Sequence, residues 1–174
     1  MAARLPSKNW IQALNRKLHP ALARWFESQY PSFTEIQQKA LRFTLARKNT
    51  LILAPTGSGK TLAAFLSVLS ELAWRADKQD LPNAVCAVYI SPLKALGRDI
   101  QRNLEAPLSV LPGIRMDIRT GDTGVDIRAQ QQRKRLYLLI TTPESLSSIL
   151  SQSGWRSGGF DVRTAIVDEI HSFA

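Results

Sequence analysis

Two short runs in the sequence combine residue types able to hold phosphate, a divalent cation and an activated water. The first is Ala54-Pro55-Thr56-Gly57-Ser58-Gly59-Lys60-Thr61, directly after the apolar stretch Leu51-Ile52-Leu53. Glycines at this density let successive backbone N–H groups turn inward around an anion. A helix opening at Lys60 aims its dipole at the same point, with the Lys60 ammonium on the β- and γ-phosphates and the Thr61 hydroxyl on Mg2+. Thr56, Gly57, Ser58, Gly59, Lys60 and Thr61 are therefore the candidate nucleotide-binding loop. The general pattern of such loops opens on glycine, and Ala54 stands in that place here.

The second run, Thr164-Ala165-Ile166-Val167-Asp168-Glu169-Ile170-His171, puts adjacent carboxylates at the end of an apolar strand pattern. Asp168 at a strand end suits Mg2+, and Glu169 beside it suits orienting and deprotonating an attacking water. Each run alone has a plainer reading, a glycine-rich turn or an acidic loop. Together on one parallel sheet they point to ATP with Mg2+, and they make Lys60, Asp168 and Glu169 the candidate catalytic set.

The elements that must position these residues follow from periodicity and caps. Pro20–Gln29 and 34–48 read as short helices, the second opened by a capping box with Thr34 as N-cap and Gln37 at N3. Strands are expected at 50–54, 84–90, 114–119, 136–140 and 162–167. Between them fall helices at 60–75 and 93–105, a turn at 120–124 leading into a polar helix to Arg133, and a helix at 143–150. The last is started by Thr142 with Pro143 at N1, and 151–160 reads as a Ser/Gly-rich loop. Parallel neighbours need crossover helices, so the expected fold class is α/β, a mostly parallel sheet with helices on both faces. Ligands of such sheets bind beyond the carboxyl ends of the strands. Every motif singled out above and below falls at such an end.

The chain of 174 residues is 44% hydrophobic and 21% charged, which fits one globular domain and excludes collagen-like or disordered classes. Its net charge is +9, and the first 50 residues hold nine basic against two acidic side chains. That asymmetry suits a polyanion, nucleic acid before a membrane surface, although a solvated basic face has the same composition. No apolar run approaches the roughly 20 residues needed to span a bilayer, so no membrane partner is expected. The single cysteine, Cys86, excludes an internal disulfide. With no secretory signal pattern at the start, a reducing, cytoplasmic setting is the expectation.

These motifs together resemble superfamily 2 DExH-box helicases. The glycine-rich loop and Asp168-Glu169-Ile170-His171 are similar to motifs I and II, Ser91-Pro92-Leu93-Lys94-Ala95-Leu96 to motif Ia, and Thr141-Thr142-Pro143-Glu144-Ser145 to motif Ib. With Arg119-Thr120-Gly121-Asp122-Thr123 added, the set looks like the large helicase-related (Lhr) group, from about residue 20 to the last residue. The resemblance implies a RecA-like P-loop NTPase domain over 20–174, preceded by an N-terminal extension over 1–19. It implies ATP and Mg2+ as cofactors and ATP hydrolysis coupled to strand translocation or unwinding.

Carried over residue by residue, Gln37 matches the adenine-reading glutamine, whose amide satisfies both N6 and N7; its other reading is the capping box alone. Pro92, Lys94, Gly121, Thr142, Pro143 and Glu144 match positions that contact the backbone of a single nucleic-acid strand, and His171 a coupling position. Helix N-termini there offer N–H groups to phosphates and read no base edges. Plain helix capping at Ser91-Pro92 and Thr142-Pro143, and a solvated Lys94, remain open. The group favours DNA over RNA, 3′-to-5′ movement and a repair role. In the family a Ser-Ala-Thr-like motif and a second RecA-like domain with an arginine finger follow the acidic box, whereas this chain stops three residues after His171. The expectation is therefore a first motor lobe, truncated after the acidic box and nearly inactive alone. A stand-alone nucleotide- or nucleic-acid-binding module without motor activity is the competing reading.

Overall fold

In the computed structural model, which describes residues 16–55, 57–134, 136–156 and 158–173, local signals set most element starts. The side chains of 94–96, 156 and 173 lie outside that description. The chain divides into two compact units, one running to Trp74 and one from Arg75.

In the first unit, Pro20 opens helix α1 (Pro20–Gln29), and the His19 side chain accepts the Ala21 N–H at 3.3 Å. Pro at N1 carries no orphan N–H and its φ is already helical. Leu22, Trp25 and Phe26 form the buried face of α1, and the Phe26 ring stacks on Phe33 at 4.0 Å. Both rings therefore belong to the core. Helix α2 (Glu35–Thr44) has the capping box expected from Thr34 and Gln37, with both reciprocal bonds formed. It stops before Lys48 because Arg47 turns left-handed, at φ 55°.

Residues 50–54 form no strand, contrary to expectation. The pattern fits a pleated surface, but a strand exists only through its ladder, and this run has no ladder partner among the described residues. Leu51 and Leu53, 69% and 78% exposed, stay unburied as a result. The glycine-rich loop that follows turns through Gly57 (φ 78°) and Gly59 (φ 86°) into helix α3 (Lys60–Asp77). Phe65, Leu66, Leu69, Leu72 and Ala73 recur at helical spacing as the buried stripe of α3.

The second unit is built on a four-stranded parallel sheet. Its strands are β1 (Val85–Ile90), β2 (Met116–Arg119), β3 (Leu138–Thr141) and β4 (Phe160–Val167), in the order β2-β3-β1-β4. Helix α4 (Lys94–Ser109) crosses from β1, α5 (Val125–Arg133) from β2, and α6 (Pro143–Ser151) from β3. Parallel pairing requires these crossovers, so the expected α/β class is met. The loop expected at 151–160 contains a single helical turn, α7 (Ser153–Arg156), and a 3-10 turn (Ile170–Phe173) follows β4. Helix α4 packs on the sheet at Gly97, where a β-carbon would make ordinary contacts with Ile140 at 3.5 Å and Ile118 at 3.7 Å. Val85, Val88, Leu136, Leu139, Ile149 and Trp155 form one buried cluster.

Arg75, only 7% exposed, ties the beginning of this unit together. Its guanidinium donates to the Asp80 carbonyl at 2.9 Å, to the Asp161 carboxylate at 3.4 Å and to Cys86 Sγ at 3.6 Å. The Cys86 thiol is buried, and burial pushes its pKa up. Charged hydrogen bonds of this kind are worth about 1.5–3 kcal/mol each when one partner is lost from a buried site. Arg75→Ala should therefore lower stability by about 2 kcal/mol or more in urea unfolding of the full-length protein. A midpoint unchanged from the unaltered protein contradicts the clasp.

A second test separates the loop glycines. An added β-carbon at Gly57 meets nothing within 4 Å, whereas at Gly59 it sits 2.5 Å from Gln37 Nε2. Gln37 cannot swing away freely, because its Oε1 accepts the Thr34 N–H at 2.9 Å. Gly57→Ala should cost only the left-handed penalty of about 1–2 kcal/mol. Gly59→Ala should cost clearly more, read as the larger drop in thermal midpoint; equal drops contradict the contact.

Candidate ATP and nucleic-acid site

Strand register decides where the motifs emerge. Ile90 pairs with Thr141 and with Val167, and Thr141 pairs with Arg119. The carboxyl ends of all four strands are thus level. The chain leaves this one edge at Ser91-Pro92, Thr120-Gly121, Thr142-Pro143 and Asp168-Glu169. The ladder runs one residue further on two strands, with Ser91 N–H donating to Thr141 O at 3.1 Å and Asp168 N–H to Ile90 O at 2.9 Å. With strands about 4.8 Å apart, the acidic box and the Thr120–Gly124 turn are separated by three spacings, roughly 14 Å.

At the β4 end, the Asp168 carboxylate is held at both oxygens. Oδ1 accepts the Glu169 N–H at 2.9 Å, and Oδ2 accepts the Tyr89 hydroxyl at 2.6 Å. Tyr89 is 1% exposed, and burial, reinforced by Asp168, pushes its pKa far above the ordinary phenol range. Glu169 has φ 51°, a left-handed backbone that costs a non-glycine residue about 1–2 kcal/mol. The 3-10 turn closes over it through the Ser172 N–H to Glu169 O bond of 2.8 Å. His171 is exposed, and its Nε2 stands 3.3 Å from Glu169 Oε2. Among candidate residues the sequence separated only by role, Asp168, Glu169 and His171 are therefore physically linked.

The other three turns differ in what they offer. The Thr142 hydroxyl donates to Ser145 Oγ at 3.0 Å and accepts the Ser145 N–H at 3.4 Å, capping α6 while only 3% exposed. In this conformation Thr142 is spent on the cap, while Pro143 is half-buried and Glu144 exposed. Helix α4 has no side-chain cap at Leu93, so its first N–H groups are not met by such a bond. Pro92 is half-buried beside it, and the Lys94 side chain lies outside the described residues. Gly121 is exposed, and its carbonyl accepts from Arg128 Nη2 at 2.8 Å. Thr120 N–H donates to Thr123 Oγ1 at 2.9 Å, which closes that turn. Arg119 beneath it is buried, lies 5.3 Å over the Trp155 ring and donates to Gln152 at 3.0 Å. Burial, then the charge of Arg128, pull its pKa below the usual arginine value.

The first unit holds the phosphate-binding candidates. The Thr34 hydroxyl donates to the Ser58 carbonyl at 3.0 Å, and Gln37, 5% exposed, lies against Gly59. The capping box thus also braces the loop. Gln37 Oε1 is engaged by Thr34, which realises the capping reading; a carbonyl oxygen has a second lone pair, so base contact is not used up. Lys60 and Thr61 begin α3, half-buried, and Thr56 lies outside the described residues.

The residues fit the groups the resemblance implies. Among the described residues Ser58 Oγ is buried without a hydrogen-bond partner, in a loop where Gly57 and Gly59 take positive φ. Such an orphan donor suits a phosphate oxygen. Asp168 supplies a hard, oriented oxygen donor, and no cluster of three or more acidic, His or Cys groups is present among the described residues. Mg2+ is commonly held by one or two protein oxygens together with substrate phosphates and water, which suits this supply.

Sequence reasoning passed over Tyr89, Arg128 and the bracing role of Thr34. The signal for Tyr89 was present: a hydroxyl in an otherwise apolar strand pattern must find a partner once buried.

The chain matches the DEAD/DEAH box helicase model over residues 34–174. It is 46% identical over 167 residues to the ATP-dependent helicase Lhr-Core of Methanothermobacter thermautotrophicus, covering 90% of this chain and 19% of that protein. It is 39% identical over 171 residues to the Lhr helicase/uracil glycosylase of Escherichia coli, covering 89% of this chain and 11% of that protein. The structure of Mycobacterium smegmatis helicase Lhr bound to ssDNA and AMP-PNP superposes with a TM-score of 0.82 at 37% identity, over 92% of this chain and 21% of that one. DEAD-box helicase Mss116 bound to ssRNA and UDP-BeF, at 22% identity and a TM-score of 0.78, shares the fold. The chain thus spans about a fifth or less of the length of the two helicase relatives it matches by sequence. With its phosphate-binding loop, its acidic box and the turns between them all accounted for in one family, this chain belongs to the DEAD/DEAH box helicases.

Proposed function

We propose that this chain is the ATP-binding first motor lobe of an Lhr-type helicase, which in the complete protein couples ATP hydrolysis to movement along single-stranded DNA. The observation that carries the reading is the level carboxyl edge of the sheet, where the acidic box and three backbone-rich turns emerge side by side. An edge of this kind can report the state of a nucleotide at one end to a strand lying along the others. The Lhr structure with ssDNA and AMP-PNP supports the same assignment of partners. DNA is favoured over RNA on that likeness, a repair role and 3′-to-5′ polarity rest on the group resemblance, and a cytoplasmic setting rests on the lone Cys86.

In this reading Lys60 and the loop N–H groups bind the phosphates, and Thr61 and Asp168 are the oxygen donors for Mg2+. When bound, Mg2+ neutralises charge developing on the phosphates. Glu169 orients the attacking water and accepts its proton. His171 restrains Glu169 from the exposed side. The three turns after β1, β2 and β3, with Pro92, Lys94, Gly121, Thr142, Pro143 and Glu144, follow the strand through backbone groups, so base sequence matters little. A second RecA-like lobe is needed for translocation, since one lobe has nothing to close against.

The test uses the full-length protein. Single-stranded DNA should stimulate ATP hydrolysis, and Lys60→Ala should weaken nucleotide binding at least about tenfold, or ~1.4 kcal/mol. Glu169→Gln should abolish turnover while Mg·ATP affinity stays near normal, because it acts on water and not on the bound nucleotide. Asp168→Asn should weaken Mg·ATP binding as well. Hydrolysis indifferent to any single strand, or equal binding loss in both acidic-box variants, contradicts the reading.

Base selectivity gives a separate check on Gln37. Guanine presents an acceptor where adenine presents its N6 donor, so ATP should bind more tightly than GTP. Gln37→Ala should shrink that preference, whereas Thr34→Val, which removes the brace on Ser58, should weaken both nucleotides alike. Equal competition by ATP and GTP in the unaltered protein leaves Gln37 as a cap only.

A further inference from the structure

Tyr89 is the penultimate residue of β1, an apolar strand buried along nearly its whole length. Nothing about packing calls for its hydroxyl there; phenylalanine would fill the same space. A phenol at 1% exposure is costly to bury without a hydrogen bond. Its bond to Asp168 Oδ2 at 2.6 Å joins residues 79 apart in sequence, from the neighbouring strand. Ser91, 2% exposed and first after β1, is buried as well, and its Oγ accepts the Leu93 N–H at 3.4 Å. Burial of the ring in the strand holds the phenol in place.

Asp168 stands one residue past the end of β4, where the ladder no longer fixes its side chain. Left alone, such a carboxylate turns about its terminal bond, which is broad and roughly two-fold. Here Oδ1 is pinned by the Glu169 N–H at 2.9 Å and Oδ2 by Tyr89 at 2.6 Å. Bonds to both oxygens fix the orientation of the group, and each carboxylate oxygen has two lone pairs.

We propose that Tyr89 is a positioning residue for Asp168, holding its carboxylate in the orientation that receives the divalent cation of Mg·ATP. The proposal rests on the reading of Asp168 as a cation donor given above. Partners that orient a metal-binding side chain contribute about 10- to 100-fold to metal affinity, because a fixed donor loses no further rotational freedom on binding. In this assignment Tyr89 acts through Asp168, the residue its hydroxyl meets at 2.6 Å.

The experiment measures affinity for a fluorescent non-hydrolysable ATP analogue by the full-length protein, with Mg2+ and with EDTA. The ratio of the two affinities is the Mg2+-dependent gain. Tyr89→Phe keeps the ring and removes only the hydroxyl. It should leave affinity in EDTA within about twofold and cut the gain about tenfold. In an Asp168→Asn background the same change should alter the gain no further, since the group it positions is gone. A full gain in Tyr89→Phe overturns the assignment, and so does a loss of equal size in EDTA, which reports general damage. An additive effect in the Asp168→Asn background also overturns it, because the phenol would then act elsewhere. If the unaltered protein shows no Mg2+-dependent gain, the reading of Asp168 fails and this proposal with it; a normal gain in both forms sinks the role of Tyr89 alone.

Discussion

Val167, Ile90, Thr141 and Arg119 stand opposite one another across four parallel strands, so the chain leaves the sheet four times at the same level. Parallel ladders impose this: each strand runs the same way, and each return needs a helix behind the sheet. Groups far apart in sequence are thereby brought to one edge with fixed spacing. Asp168 and Glu169 occupy one end of the row, and the Thr120–Gly124 turn the other. A one-residue slip of β4 against β1 would move Asp168 away from Ile90 O and Tyr89 together, because both bonds depend on one register.

The acidic box shows what that edge does to its residues. Glu169 is kept in a left-handed backbone by bonds on either side of it, from its own N–H to Asp168 and from Ser172 to its carbonyl. Such conformations persist only where the surroundings over-determine them. The result is a pair of carboxylates that diverge from a single turn, one held inward by a phenol, the other near exposed His171. Adjacent acids would otherwise repel and wander. Here the backbone separates their tasks.

The phosphate-binding loop is secured by a different device, a helix cap used twice. Thr34 and Gln37 close the first turn of α2, and the same two side chains meet Ser58 and Gly59. Close approach at Gly59 is possible because no β-carbon intervenes, while its positive φ would strain any other residue. Loop and cap therefore stand or fall together, which places an element remote in sequence in control of the loop's shape. That explains how one glutamine can carry two readings at once: its oxygen closes the cap, and its nitrogen faces the loop.

What the sequence determined by itself was local. Pro20, Thr34 and the Thr142-Pro143 pair start their helices where the residue types predict, because caps depend on neighbours three or four positions away. The motifs likewise disclose the chemistry, since the loop and the acidic box are contiguous runs. The tertiary structure decided what depends on distant partners. Residues 50–54 carry a strand pattern but no ladder, because hydrogen bonds to a neighbour, not apolar alternation, make a strand. Thr142 goes to a buried cap, and Arg119 to a stack on Trp155, because crossover helices cover them. The strand order β2-β3-β1-β4 and the identity of Asp168 as the partner of Tyr89 have no trace in local pattern. They arise only when chain segments far apart share one sheet, where burial forces each polar group to find a partner.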